Sequence, residues 1–264
     1  MPDYGVILLV LILLLASSAV GATFKRVLDE RQMDRDTADA VRLVISILVT
    51  FTALVLSLLT STVKTSYDSF DTRMRAFAGD ITELDLRLRE YGEDAAPIRA
   101  QTRAYVAAVI ADTWSDEPRP PGAYPTFEHT ANIERPQLGA MLVAVDVAVR
   151  RLEPTDPYHR RLADLLETRM TDVLQRRRLL IETVHDTISW PLLTGMTSWL
   201  AIVFAVFGLI APRNAVVNTT IALCALSFAS AIFLILEFDR PLSGIVRVSS
   251  EPARETLRHL DAPS

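Results

Sequence analysis

Apolar positions in this chain gather in four stretches that contain no charged residue. These are Tyr4–Phe24, Leu43–Val63, Leu192–Ala211 and Ala215–Leu236, of 21, 21, 20 and 22 residues. A helix needs about 20 apolar residues to cross the hydrocarbon core of a bilayer. Inside lipid, a helix also satisfies its own backbone polar groups. The pattern predicts an all-α integral membrane protein with four transmembrane helices. A water-exposed helical bundle is expected between the second and third. The divisions are a first transmembrane pair over 1–63, a helical insertion over 64–187, a second pair over 188–240 and a C-terminal tail over 241–264.

The second run does not stop where the membrane would. From Leu59 an apolar stripe continues through Val63, Tyr67, Phe70, Met74, Phe77, Ile81, Leu84, Leu88 and Tyr91. After two four-residue steps, the spacing alternates three and four, which is heptad spacing. A helix running unbroken from Val41 to Tyr91 would be roughly 75 Å long, and Gly92 supplies its stop. The stripe reads either as a packing seam within the insertion or as an intermolecular coiled-coil contact. A second amphipathic segment runs from Pro97 to about Trp114. The stretch Ser115–Pro136 is rich in proline and reads as a loop. Two more helical patterns follow, about Pro136–Leu152 and from Tyr158 onward, the latter leading toward the third membrane run.

Charge and composition then narrow the function. The net charge is −5, and the insertion mixes both signs without a basic patch, so nucleic acid is not expected as a partner. The one cysteine, Cys224, lies inside the fourth run and permits no intrachain disulfide or cysteine-based metal site. His129, His159, His185 and His259 are scattered, with no pair at helical ligand spacing. Phosphate loops, HExxH, CxxC pairs and nucleophile elbows are absent from the sequence. No cofactor, metal or catalytic residue is expected, and an enzyme is not expected.

Ala19-Val20-Gly21-Ala22 has the look of a signal-peptidase site, but Met1-Pro2-Asp3-Tyr4 lacks a positive n-region, so a retained first helix is expected. With both termini and the insertion cytoplasmic, nine basic residues near helix ends fall inside against six outside. The positive-inside rule therefore favours that orientation.

Three sets of residues are candidates for function. Thr50, Phe51 and Thr52 in the second run offer hydroxyls and a ring at one depth, as a pore lining with Phe51 as constriction. Leu54, about one turn along, is expected to matter less if it faces lipid. Helix-to-helix hydrogen bonding explains such hydroxyls equally well. Glu237 and Asp239 at the end of the fourth run form a candidate ionisable interface site. The bland alternative is a boundary carboxylate that snorkels to water, paired with Arg240 or an arginine of the insertion. Arg176, Arg177 and Arg178 are candidate contacts for anionic lipid. Alternatively they form a solvated face with partners such as Asp172 and Glu182.

Leu48-Val49-Thr50…Leu54-Val55-Leu56-Ser57-Leu58-Leu59, Leu84-Asp85…Leu88…Tyr91-Gly92 and Phe233-Leu234-Ile235-Leu236-Glu237-Phe238-Asp239-Arg240-Pro241 carry a resemblance. Together with Gly244…Val248-Ser249-Ser250…Pro252 and the overall layout, they resemble the bacterial bestrophin-like domain family. Bestrophins are pentameric anion channels with a helical cytoplasmic region between two membrane-helix pairs. The resemblance implies a bacterial inner-membrane homo-oligomer, with the lipid bilayer and small ions as its partners. An acidic run for the bestrophin calcium clasp is lacking, and no pore-neck residue can be matched one by one. Two functions stand at this point, an oligomeric ion (anion) channel or channel-like pore and a non-conducting membrane-anchored interaction or sensor module.

Overall fold

The computed structural model describes residues 4–24, 35–125, 135–184, 190–212, 214–242 and 244–262. Its helices are α1 (Tyr4–Phe24), α2 (Arg35–Tyr91), α3 (Ala96–Thr113), α4 (Pro136–Arg150), α5 (Pro157–Val184), α6 (Trp190–Ile210), α7 (Ala215–Phe238) and α8 (Glu251–Asp261). Among the described residues there is no strand. The four helices with the length and hydropathy of spans are α1, the first part of α2, α6 and α7. The chain divides into two compact units, residues 1–66 with 187–240 and residues 67–186 with 241–264, and α2 contributes to both.

In the first unit, α1 packs against α6 and α7. Glycine allows the closest of these approaches. A Cβ on Gly21 would lie 1.7 Å from the Ala205 carbonyl oxygen, and one on Gly208 would lie 1.9 Å from that of Ser18. The two backbones therefore touch, as small residues permit between membrane helices. The Ala19-to-Ala22 segment thus contributes Gly21 to a helix crossing. Ala225 and Ala229 on α7 are likewise fully buried. Leu14, Val55, Leu59, Met196, Leu200, Phe204 and Ile232 fill the interior. The Phe204 ring meets Phe207 and Phe228 edge-on. Asn214 caps α7 by accepting from the Val217 N–H at 2.8 Å. Only 22% to 33% of the most apolar part of each span is buried. Most of the apolar surface therefore faces outward, as a bilayer rather than water requires.

The second unit is built on the seam read from the sequence. Phe70, Met74, Phe77, Ile81, Leu84, Leu88 and Tyr91 of α2 are all buried, beside Tyr105 and Ile110 of α3, Leu142 and Val145 of α4, and Leu166 and Met170 of α5. Gly92 ends α2 at φ 98°, a left-handed value that favours glycine. The buried Asp85 carboxylate is held between the Arg89 and Arg99 guanidiniums at 2.7 and 2.8 Å. At the far end of α3, Asp112 pairs with Arg135 at 2.7 Å and draws the start of α4 onto that end.

One element is not in the sequence reading. Residues 251–261, within the stretch set apart as a tail, form α8, which buries Ala253, Leu257 and Leu260 in the second unit's core. The segment before it docks as well, since the Trp114 indole donates to the Val248 carbonyl at 2.9 Å. Arg254 reaches Glu117 and the Pro118 carbonyl. The join between α5 and α6, expected to be helical, lies outside the described residues, as does most of the loop after Pro125.

Candidate functional site

The α2 run in the first unit has two unlike faces. Val55, Leu59 and Val63 turn into the core, with Thr52 buried beside them at 1% exposure. The opposite face is uncovered. Ser46, Ile47, Thr50, Phe51 and Leu54 line an open concavity of about 400 Å³.

This arrangement splits the Thr50-Phe51-Thr52 trio. Successive helical residues are about 100° apart, so Thr50 and Phe51 line the concavity while Thr52 points into the core. The Thr52 hydroxyl donates to the Leu48 carbonyl at 2.7 Å. Thr50 donates to the Ser46 carbonyl at 2.8 Å. Phe51 is half-exposed, and its ring leans on that of Trp199 in α6 with centroids 5.1 Å apart. Leu54 shares the concavity, so it belongs with Phe51 rather than on a separate face. The three-residue step between them puts both on one side of the helix, a signal already present in the sequence.

Glu237, in the last turn of α7, is 2% exposed, so it does not snorkel into water. Glu237 is not without a partner. Asp239 follows as the C-cap, its N–H bonded to the Ile235 carbonyl, and the Arg240 N–H bonds to that of Glu237. Nearby, the Lys64 ammonium of α2 sits 5.6 Å from the centre of the Phe238 ring, a cation–π contact.

The three arginines of α5 point in different directions. Arg176 pairs with Asp80 of α2, not with Asp172, which instead lies 3.6 Å from Arg169. Arg177 turns toward Gly139 and Tyr105. Burial pushes the Tyr105 phenol up to about 12, with Arg177 pulling the other way. Arg178 is exposed and makes no ion pair among the described residues. They do not form a single patch.

Also in the second unit, α2 and α8 border a groove of about 490 Å³. Arg75, Gly79, Thr82 and Glu83 lie on one side and Glu251, Glu255 and His259 on the other. Thr82 and Thr256 share a hydroxyl contact at its floor, 3.1 Å apart. Among the described residues no three metal-ligating side chains gather. His159 is engaged with Asp156 and with the Tyr91 and Tyr158 rings. His129 and His185 lie outside the described residues.

The sequence profile of the Bestrophin-like domain family matches residues 11–253. The chain belongs to that family. This bestrophin-like chain is also similar to a solved crystal structure of a membrane protein, with a TM-score of 0.60 over 96% of this chain and 97% of the other. At 14% identity that likeness speaks for the fold alone. No curated protein matches the chain.

Proposed function

We propose that copies of this bestrophin-like chain assemble with α2 nearest the shared axis and form an ion-conducting pore. The observation that carries this reading is the uncovered, hydroxyl-bearing concavity of α2, with a half-exposed phenylalanine in it. Thr50 and Ser46 supply hydroxyls that suit a water-filled lining. A ring of apolar side chains can also gate a pore by dewetting, and Phe51, braced by Trp199, supplies one such side chain per copy. In this reading the protein is not an enzyme. The helical bundle and both termini lie on the cytoplasmic side of a bacterial inner membrane.

The test is salt efflux from liposomes carrying the purified protein. The reading expects efflux above that of empty liposomes; liposomes that retain their salt would count against it. Orientation has its own check in a Cys224→Ala background. A cysteine placed at Ser115 should resist an impermeant reagent in intact cells, and labelling from outside would reverse the topology.

The groove between α2 and α8 favours a second reading, a non-conducting interaction module that receives a partner there. Efflux that is absent, together with a partner displaced by Glu255→Arg, would favour that module.

A further inference from the structure

We infer that α4 of one copy seats in the groove between α2 and α8 of the next, so that copies join head to tail. This rests on the reading that copies assemble around a shared axis, and it names the surfaces that meet in the second unit. The first surface is a side of α4 that its own unit leaves uncovered. Leu138, Leu142, Val145 and Val149 are buried, yet the other side is apolar as well. Ala140, Val143, Ala144 and Val147 are all exposed, Val143 to 52%. Their steps of three and four place them together. A helix that is apolar all round belongs in an interior, whereas one facing water carries polar residues there. The neighbouring α5 does so, with Asp164, Thr168, Thr171, Gln175 and Arg178 at its exposed positions.

The second surface is the groove. Gly79, Thr82 and Leu86 run along its α2 side. A Cβ at Gly79 would meet nothing within 4 Å, so there is room for an incoming side chain, and Leu86 offers an exposed apolar anchor. Ala140 to Val147 and Gly79 to Leu86 each cover about two helical turns, roughly 10 Å, so stripe and groove match in length. Charge matches too. Arg151, one step beyond Val147, and Glu255 on the α8 side of the groove are both exposed, and neither makes an ion pair among the described residues. Other charges nearby are already engaged, Glu83 by Arg169 and Arg150 by Asp146, each at 3.1 Å. An apolar strip with opposite charges at its rim has the anatomy of a protein interface. One chain carries both halves of the match, which favours a second copy over a foreign protein. Because the two surfaces differ, the contact repeats from copy to copy and can close as a ring.

The test is thiol cross-linking of the full chain in membranes, in a Cys224→Ala background, with a short bismaleimide. Val143→Cys combined with Gly79→Cys should give a ladder of covalent multimers on denaturing gels, and neither single variant should. Leu86→Asp, which leaves the buried core intact, should cut the yield several-fold. Glu255→Arg should do the same, and adding Arg151→Glu should restore it. Cross-linking by Val143→Cys alone would mean a symmetric α4 contact and overturn the inference. A paired variant that stays uncross-linked while eluting as an oligomer also overturns it, and leaves the groove to another occupant. Salt efflux separates this from the pore reading. Efflux without the ladder sinks the inference alone, whereas the ladder without efflux supports it and sinks the pore.

Discussion

Two glycines in this chain occupy opposite environments, and each predicts a different response to the same kind of change. At Gly21 any side chain would strike the backbone of α6. Gly21→Val should force α1 and α6 apart and cost at least about 2 kcal/mol. At Gly79, in the middle of α2, an added Cβ meets nothing within 4 Å. Gly79→Ala should stabilise by about 0.5–1 kcal/mol, through helix propensity alone. Thermal unfolding in detergent would separate the two; equal shifts would refute the close crossing. Tyr105 adds a pH dependence. Its phenol is raised from the ordinary value of 10.0 to about 12 by burial, so the folded state favours the neutral form. That stability is complete below pH about 10 and is lost as pH climbs toward about 12. Between pH about 9 and about 11, the wild type should lose more thermal stability than Tyr105→Phe. The Gly21 contact was not legible in the sequence, because a backbone approach leaves no periodic signal, and the four small residues also have the look of a processing site.

Elements were legible to the degree that their pattern repeats. The α2 seam carries its apolar spacing over many turns, so its burial followed from period alone. Replacing Ile81 or Leu84 with Asp should unfold the second unit, because an unpaired charge would enter a closed core. The control must come from the opposite face. Arg87 and Glu90 bond each other, and Glu90 also accepts from Tyr158 at 2.9 Å, so neither is neutral to change. Leu86 is 58% exposed, and Leu86→Asp should leave melting nearly unchanged. Similar losses at Ile81 and Leu86 would refute the seam. By contrast α8 escaped notice, since its eleven residues hold only three buried apolar anchors among many charges. Its signal was present nonetheless, in Pro252 at the first turn and in Ala253, Leu257 and Leu260 at helical spacing.

At the scale of the whole molecule, four charge-free runs made the membrane class plain, because burying a charge in lipid costs too much to be scattered along a span. The candidate pore was only half legible. Adjacency in sequence suggested that Thr50, Phe51 and Thr52 act together, whereas the helix sends Thr52 into the core and brings Leu54 to Phe51. In the proposed assembly, what the chain does depends on whether the face shared by Thr50, Phe51 and Leu54 borders water. The most direct measurement is single-channel recording of the reconstituted wild type beside Phe51→Ala. A water-filled lining predicts discrete currents in the wild type and a larger conductance or longer openings once the ring is removed. Currents that are identical in both proteins, or absent from both while each remains folded, would contradict the assignment of α2 to the pore.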